Sequence, residues 1–461
     1  MGRTFDAIVI GAGPAGEVAA GRLAERGRAV AIVESHLIGG ACSYYACMPS
    51  KALLRPGELL AEVARVPGAR EAAEGRGVDP AATLRRRDEV IHGRDDDVQL
   101  PWREEQGIAL VRGRGRLDGE RRVRVTAADG GADEVHEARD AVIVATGSSP
   151  LIPPIPGLRE AEPWTNREAT TAQEVPGHLV VLGGGVAGVE LAQAWRSLGA
   201  QVTIVESAER LIAREEPFAG EQVAEVLRAR GVALALGARA TEAKRDAAAG
   251  RTTLTLEDGA EIAGDRLLVA IGRRPNTDDL GLDAVGLEPG EPIPTDDALR
   301  VPGHDWLYAI GDVNGRAQLT HMGKYHARIA ADAICGDSAA RIRVDGALSP
   351  RAIFTDPAVA AVGHTLASAR EAGIDARAVD LDTDSTAGAS FHGRGAPGTT
   401  RFVVDDGRGV LVGATVVGPE VPELLHAATV AIAGEVPLAA LAHAVPVFPT
   451  RSELWLELLE A

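Results

Sequence analysis

One pattern occurs twice and leaves little choice of architecture. Residues 6–34 read DAIVIGAGPAGEVAAGRLAERGRAVAIVE, and residues 178–206 read HLVVLGGGVAGVELAQAWRSLGAQVTIVE. Each is an apolar strand, a G-x-G-x-x-G turn, a helical pattern and a second strand that ends in a glutamate. Gly11 to Glu34 spans 23 positions, and so does Gly183 to Glu206. The glycines Gly11, Gly13 and Gly16, and again Gly183, Gly185 and Gly188, let the backbone approach a pyrophosphate seated on a helix N-terminus. A carboxylate closing the second strand suits a ribose diol. The repeat therefore predicts two dinucleotide-binding units and invites two different dinucleotides. Glu206 would repel a 2′-phosphate, which favours NADH over NADPH; Arg210, just beyond it, works against that preference.

Residues 39–51 follow the first unit and read GGACSYYACMPSK, with two of the three cysteines of the chain, Cys42 and Cys47. A chain with so few cysteines rarely spends them on a structural staple. Two small buried thiols are the plain alternative; the chemical reading is a redox-active dithiol. Five residues of α-helix rise about 7.5 Å, more than the roughly 4.4–6.8 Å that a disulfide spans between Cα atoms. Cys42 is thus expected in an irregular turn and Cys47 near a helix start, with the helix running through Lys51 to Leu54. A helix N-terminus favours a thiolate there.

Beyond this the chain reads as helical and charged over residues 52–100, with Arg85-Arg86-Arg87 expected on a solvated face. Alternation over 107–126 predicts strands, followed by a turn at Asp129-Gly130-Gly131 and a buried strand from Ala141 into Thr146-Gly147. The proline-rich run Ser148 to Gly157 reads as a linker. Glu190, two residues past the second glycine turn, reads most simply as a surface glutamate. Strands end at Gly272 and at Gly311-Asp312, and a helix is expected from about His321. Residues 346–461 change to hairpin strands and then helices, an α+β body. Cys335, before Gly336, reads as a structural thiol. No metal site is expected.

Composition narrows the partners. Lys and Arg number 48 against 66 Asp and Glu, a net charge of −18, which argues against nucleic acid and anionic membranes. Apolar runs fall short of the ~20 residues of a membrane span. The first strand begins at about Asp6, with no room for a signal peptide, so the expected location is cytoplasmic.

Together these residues resemble the pyridine-nucleotide disulfide oxidoreductases, flavoproteins that include dihydrolipoamide dehydrogenase, glutathione reductase and mercuric reductase. The resemblance covers essentially the whole chain. It rests on both glycine turns, Cys42 and Cys47 before Pro49-Ser50-Lys51, Ala145-Thr146-Gly147, Gly272-Arg273-Arg274-Pro275-Asn276, Gly311-Asp312 and Phe354-Thr355-Asp356-Pro357. It implies an α/β fold of two Rossmann-like domains and a C-terminal α+β dimerisation domain. FAD-binding parts would cover 1–150 and 276–345, an NAD-binding domain 151–275, and the interface domain 346–461. Gly11, Gly13, Gly16, Glu34, Lys51, Gly115, Thr146, Gly147 and Asp312 match FAD positions. Gly183, Gly185, Gly188, Glu206 and Gly272 match NAD positions. Lys51 and Glu190 match a pair near the flavin's reactive nitrogen, Cys47 the flavin-facing thiol and Cys42 the exchanging thiol. A homodimer is implied, each site completed by its partner.

The sequence departs from the family at one chemical position. The family ends in H-P-T-x-x-E, whose histidine is the general acid/base; here the run is Phe448-Pro449-Thr450-Arg451-Ser452-Glu453. Loss of such a base typically costs 10²–10⁴-fold. Glu453 remains, and His443 lies five residues upstream of Phe448. Tyr44 and Tyr45 add bulk between the cysteines, most simply as packing. A C-terminal cysteine pair is lacking, which argues against a mercuric reductase or a large thioredoxin reductase. The expected activity is hydride transfer from NADH to FAD, then to the Cys42–Cys47 disulfide and on to a small disulfide or other small-molecule electron acceptor, with ordinary dihydrolipoamide turnover low. The alternatives are an NADH:quinone or dye reductase with an incidental dithiol, and an FAD- and NADH-binding redox sensor with little turnover.

Overall fold

A computed structural model describes residues 2–127, 130–393, 395–396 and 398–461. The turn expected at Asp129–Gly131 lies partly outside them. The chain forms two compact units: Met1–Pro49 with Asp88–Pro150 and Arg273–Gly346, and Ser50–Arg87 with Leu151–Gly272 and Ala347–Ala461.

The first unit is built on a six-stranded sheet. Its parallel part runs Ala109–Leu117, Val30–Glu34, Thr4–Ile10, Glu134–Val144, Leu307–Ala309, and the antiparallel Arg122–Ala127 joins Ala109–Leu117 to Glu134–Val144. Strands of such a sheet are covered on both faces and so read as continuous apolar runs. Ile8 and Ile10 pack with Val33, Val142 and Leu307 on one face. Ala7 and Val9 pack on the other with Ile32, Ile143 and Leu23. That second face carries the helices Pro14–Glu25 and Thr320–Ile334, whose small residues Ala19, Ala20, Ala327 and Ala331 are all fully buried. The run read as a linker begins as a strand: Ser148–Pro150 pairs antiparallel with Arg273–Pro275. Its prolines end the pairing after three residues, because proline has no N–H to give.

The second unit holds a four-stranded parallel sheet in the order Arg266–Val269, His178–Leu182, Gln201–Val205, Val232–Ala235. The helix Val186–Ser197 is buried from Gly188 to Trp195. A five-stranded antiparallel sheet from residues 351–418 carries the helix Val421–Ala433. The α/β class with two glycine-turn sheets and a C-terminal α+β body is as expected.

Arg85 and Arg86 are exposed, but Arg87 is not. It is 0% exposed and donates Nη1 to Thr170 O at 2.7 Å and Nη2 to Ala172 O at 3.0 Å. The expectation of a solvated arginine face fails there because the end of the helix Asn166–Thr171 needs acceptors satisfied.

His326, on the helix Thr320–Ile334, is 0% exposed and its Nδ1 accepts from Gly311 N at 3.3 Å. Burial pushes it down to about 4. The folded protein therefore binds fewer protons than the unfolded chain below the ordinary histidine value of 6.5. Its neutral form costs nothing above pH 6.5, and stability falls as pH drops from there through about 4, by on the order of 3 kcal/mol. Thermal midpoints recorded across that range should fall less steeply for His326→Gln than for the wild type; parallel curves would rule this group out.

Candidate active site

The two glycine turns have one geometry. Gly11 and Gly183 have φ of +106° and +112°. A Cβ on Gly16 would stand 2.0 Å from Gly11 O, and one on Gly188 1.9 Å from Gly183 O. Only glycine lets helix and strand come so close. At Gly13 and Gly185 an added Cβ meets nothing within 4 Å. That is the open approach a pyrophosphate requires at a helix N-terminus. Glu34 accepts from Ala12 N and His36 N, both at 2.7 Å. Glu206 accepts from Gly184 N at 2.5 Å and Ala208 N at 2.7 Å. Each carboxylate thus braces the turn it follows. These residues fit two dinucleotides by shape and donor chemistry.

The remaining candidates of the first unit surround this frame. Thr146 Oγ1 donates to Asn276 O at 2.9 Å, and Gly147, with φ of +70°, accepts from Asn276 N at 3.0 Å. Asp312 accepts from Ser148 Oγ at 2.5 Å, and Arg273 Nε donates to the same hydroxyl at 2.7 Å. Gly115 has a packing reason: a Cβ there would lie 2.9 Å from Val33 and 3.0 Å from Ile10 side-chain carbons. In the second unit Gly272 has φ of +146° with open space beside it.

Cys42 does not lie in an irregular turn. It sits in a short helix, Gly40–Tyr44, which Tyr45 ends at φ −137°. A second helix, Cys47–Arg65, then starts on the other cysteine. The expectation failed because the helix is broken between the thiols rather than absent at the first. Gly40 opens this turn against the glycine loop, where its Cβ would be 2.9 Å from Gly13 Cα. Tyr44 is buried beside Ile91, and Tyr45 OH lies 2.9 Å from His36 Nε2.

The two thiols face each other within hydrogen-bonding reach, near disulfide distance. Donating to Cys47 is the main reason the Cys42 thiol is raised above its ordinary value, with burial adding to it; Thr320 and Lys324 pull it back. Cys47 Sγ lies 3.4 Å from Thr320 Oγ1, at the start of the helix Thr320–Ile334. A helix start carries partial positive charge. Nearby, burial pushes Glu17 up to about 7, with Lys324 opposing and Glu34 reinforcing the shift.

In the second unit Glu190 is not a surface residue. It is 3% exposed, bonded to Lys51 Nζ at 2.6 Å and to Phe354 N at 2.9 Å. The Phe354 ring lies 4.7 Å from Lys51 Nζ, a cation–π contact. Toward the C-terminus Phe448 is 72% exposed, and His443 is exposed after the helix Leu438–Leu441. Glu453 Oε2 is buried and lacks a hydrogen-bond partner among the described residues. Arg451 is buried, donates to Pro419 O, and is lowered to about 10 by that burial.

Thr320, Lys324 and Glu17 were missed in the sequence, and Phe354 was read only as part of a family motif. Thr320 and Lys324 have a weak signal, one helical turn apart on the helix expected from His321. Cys335 ends that helix and packs on the alanine-rich core of the first unit.

Residues 5–327 match the family described as pyridine nucleotide-disulphide oxidoreductase, and residues 349–459 match its dimerisation domain. Dihydrolipoyl dehydrogenase of Chlamydia muridarum is 31% identical, covering 99% of this chain and 96% of that protein. Mercuric reductase of Acidithiobacillus ferrooxidans is 34% identical, covering 94% and 78%. Among solved structures, LpdA of Mycobacterium tuberculosis has a TM-score of 0.86 at 29% identity, over 100% of this chain and 99% of that one. The HOCl-induced flavoprotein disulfide reductase RclA of Escherichia coli, as its Cu(II) complex, scores 0.85 at 25% identity over 99% of each chain. No helix among the described residues is long and apolar enough to cross a membrane.

A hydroxyl bonded to a thiolate is worth about 1.5–3 kcal/mol, or roughly one to two pKa units. Thr320→Val should shift upward, by about one unit, the pH at which the reduced protein reacts with iodoacetamide. An unmoved profile would mean that Thr320 does not steady the thiol pair.

Proposed function

The chain belongs to the pyridine nucleotide-disulphide oxidoreductases, and on that premise we propose that it carries two electrons from NADH to the Cys42–Cys47 pair and on to a small acceptor. Members of this family are flavoprotein oxidoreductases that depend on FAD and a pyridine nucleotide. The observation that carries the reading is the thiol pair, hydrogen-bonded across a helix break and held against the glycine turn through Gly40.

FAD would be held by Gly11, Gly13, Gly16, Glu34, Gly115, Thr146, Gly147 and Asp312, and would supply the two-electron relay between nicotinamide and thiols. Gly183, Gly185, Gly188, Glu206 and Gly272 hold the nicotinamide dinucleotide. Glu206 favours NADH, since a 2′-phosphate would meet a carboxylate already committed to Gly184 N and Ala208 N. Lys51, fixed by Glu190, keeps a positive charge on the face of the helix that Cys47 begins.

In the second half of the cycle Cys42 gives up its proton and its sulfur attacks one sulfur of an acceptor disulfide. One thiolate leaves, and a mixed disulfide forms. Cys47 thiolate then attacks Cys42, the second acceptor thiolate leaves, and the internal disulfide closes. Of the two protons that make the two released thiols, one is the Cys42 proton and the other comes from solvent. Phe448 cannot deliver them, so the favoured acceptor has acidic leaving thiols. A quinone or dye reduced without the thiols is the second reading, favoured by the same residue. The dimerisation domain supports a homodimer.

Anaerobic NADH titration should raise a long-wavelength thiolate-to-flavin absorbance at two-electron reduction, and Cys42→Ser should lose disulfide reduction while keeping dye reduction. Bleaching with no such band would reject the thiol route. Phe448→His should raise dihydrolipoamide oxidation at least tenfold, within the usual effect of a general base; wild-type turnover already matching the variant would defeat the argument from Phe448.

A further inference from the structure

A cavity of about 300 Å³ in the second unit is lined by Gln193, Arg196, Ser197, Leu227 and Arg230. These residues close the helices Val186–Ser197 and Pro217–Ala229 at their C-terminal ends. The bare carbonyls of such ends repel anions, but Arg196 covers them. Its Nε donates to Arg230 O at 2.7 Å and its Nη1 to Ala200 O at 3.0 Å. Ser197 Oγ donates to Ala194 O at 2.7 Å.

The cavity lining has two guanidinium groups and no carboxylate. Asp356, 5% exposed, takes both oxygens to Arg65 Nη1, at 3.0 and 3.1 Å, and also accepts from Arg230. Its N–H goes to Gln193 Oε1 at 3.0 Å, which leaves Gln193 with its amide NH₂ to offer. Asp356 thus accepts from Arg65 and Arg230, while Arg196 is held by carbonyl oxygens. Guanidinium groups recognise oxyanions through paired N–H donors.

We propose that this cavity binds a small metabolite through an oxyanion, a phosphate ester or a carboxylate. Its volume is at the lower end of the roughly 300–1,000 Å³ of small-molecule pockets. It is separate from the second glycine turn, which lies at the other end of the same 12-residue helix, about 18 Å away along the axis. Occupancy reaches the Phe354–Asp356 loop directly, because Arg230 and Gln193 hold Asp356 while Phe354 N holds Glu190.

The test uses the full-length flavin-loaded protein, titrated with inorganic phosphate or with succinate against chloride at equal ionic strength. Calorimetry and tryptophan fluorescence read binding, since buried Trp195 lies on the helix between Gln193 and Arg196. Saturable binding of either ion is expected, phosphate marking an ester ligand and succinate a carboxylate. Arg230→Gln should weaken it at least tenfold. Ser197→Asp, which adds a negative charge without touching Asp356, should do the same if Arg230→Gln does not fold. Saturating NAD⁺ should leave it unchanged. No saturation up to about 10 mM, unchanged binding in the variants, or displacement by NAD⁺ would overturn the assignment.

Discussion

A carboxylate taken out of water must be paired or neutralised, and Glu190 is the place where this chain meets that demand. Its two oxygens go to Lys51 and to the backbone N–H of Phe354. Three segments far apart in sequence are thereby held: the helix Cys47–Arg65, the helix Val186–Ser197 and the end of the strand Arg351–Ile353. Lys51 lies one turn beyond Cys47 on one helix. The phenyl ring of Phe354 then covers the ammonium group. Losing Lys51 would leave the buried Glu190 carboxylate without its counter-charge, which is why such pairs hold geometry better than they add stability.

The duplicated turn shows how one local solution serves two sites. In both copies a terminal glutamate bonds the N–H that follows the first glycine, tying the strand end to the loop. What differs is the chain beyond. After Glu34 it passes Gly39 and Gly40 into the two cysteines; after Glu206 it continues through Ser207, Ala208, Glu209 and Arg210. The loop of the first copy touches Gly40, next to the two cysteines.

Local features were legible in the sequence because their causes are local. Glycines with positive φ, apolar strands and the helix start at Cys47 depend on neighbours within a few residues. Glu190 was misread because its partners lie 139 and 164 positions away. Arg87 was misread for the same reason, its acceptors being 83 and 85 positions away. Thr320 reaches Cys47 across 273 positions. Charge and polarity in a sequence suggest exposure; only the fold supplies the distant carbonyl or carboxylate that reverses the inference. The C-x4-C spacing ruled out one continuous helix, yet it did not reveal two helices with a break at Tyr45.

The C-terminal run Phe448-Pro449-Thr450-Arg451-Ser452-Glu453 has a phenylalanine where the family pattern has a histidine. Glu453 holds a buried oxygen without a partner among the described residues, while Phe448 offers no nitrogen to meet it. Val445, Val447 and Phe448 are 77%, 74% and 72% exposed, an apolar strip on the segment matched to the dimerisation domain. Such a strip is expensive in water and is stabilised by cover. In the proposed homodimer, cover and substrate meet at one position: a phenyl ring replaces a proton carrier and adds an apolar wall. An acceptor that must be protonated loses from that exchange, and one that is flat, or that leaves as a stable thiolate, does not. The selectivity of the site then follows from what the ring cannot donate and what it can cover.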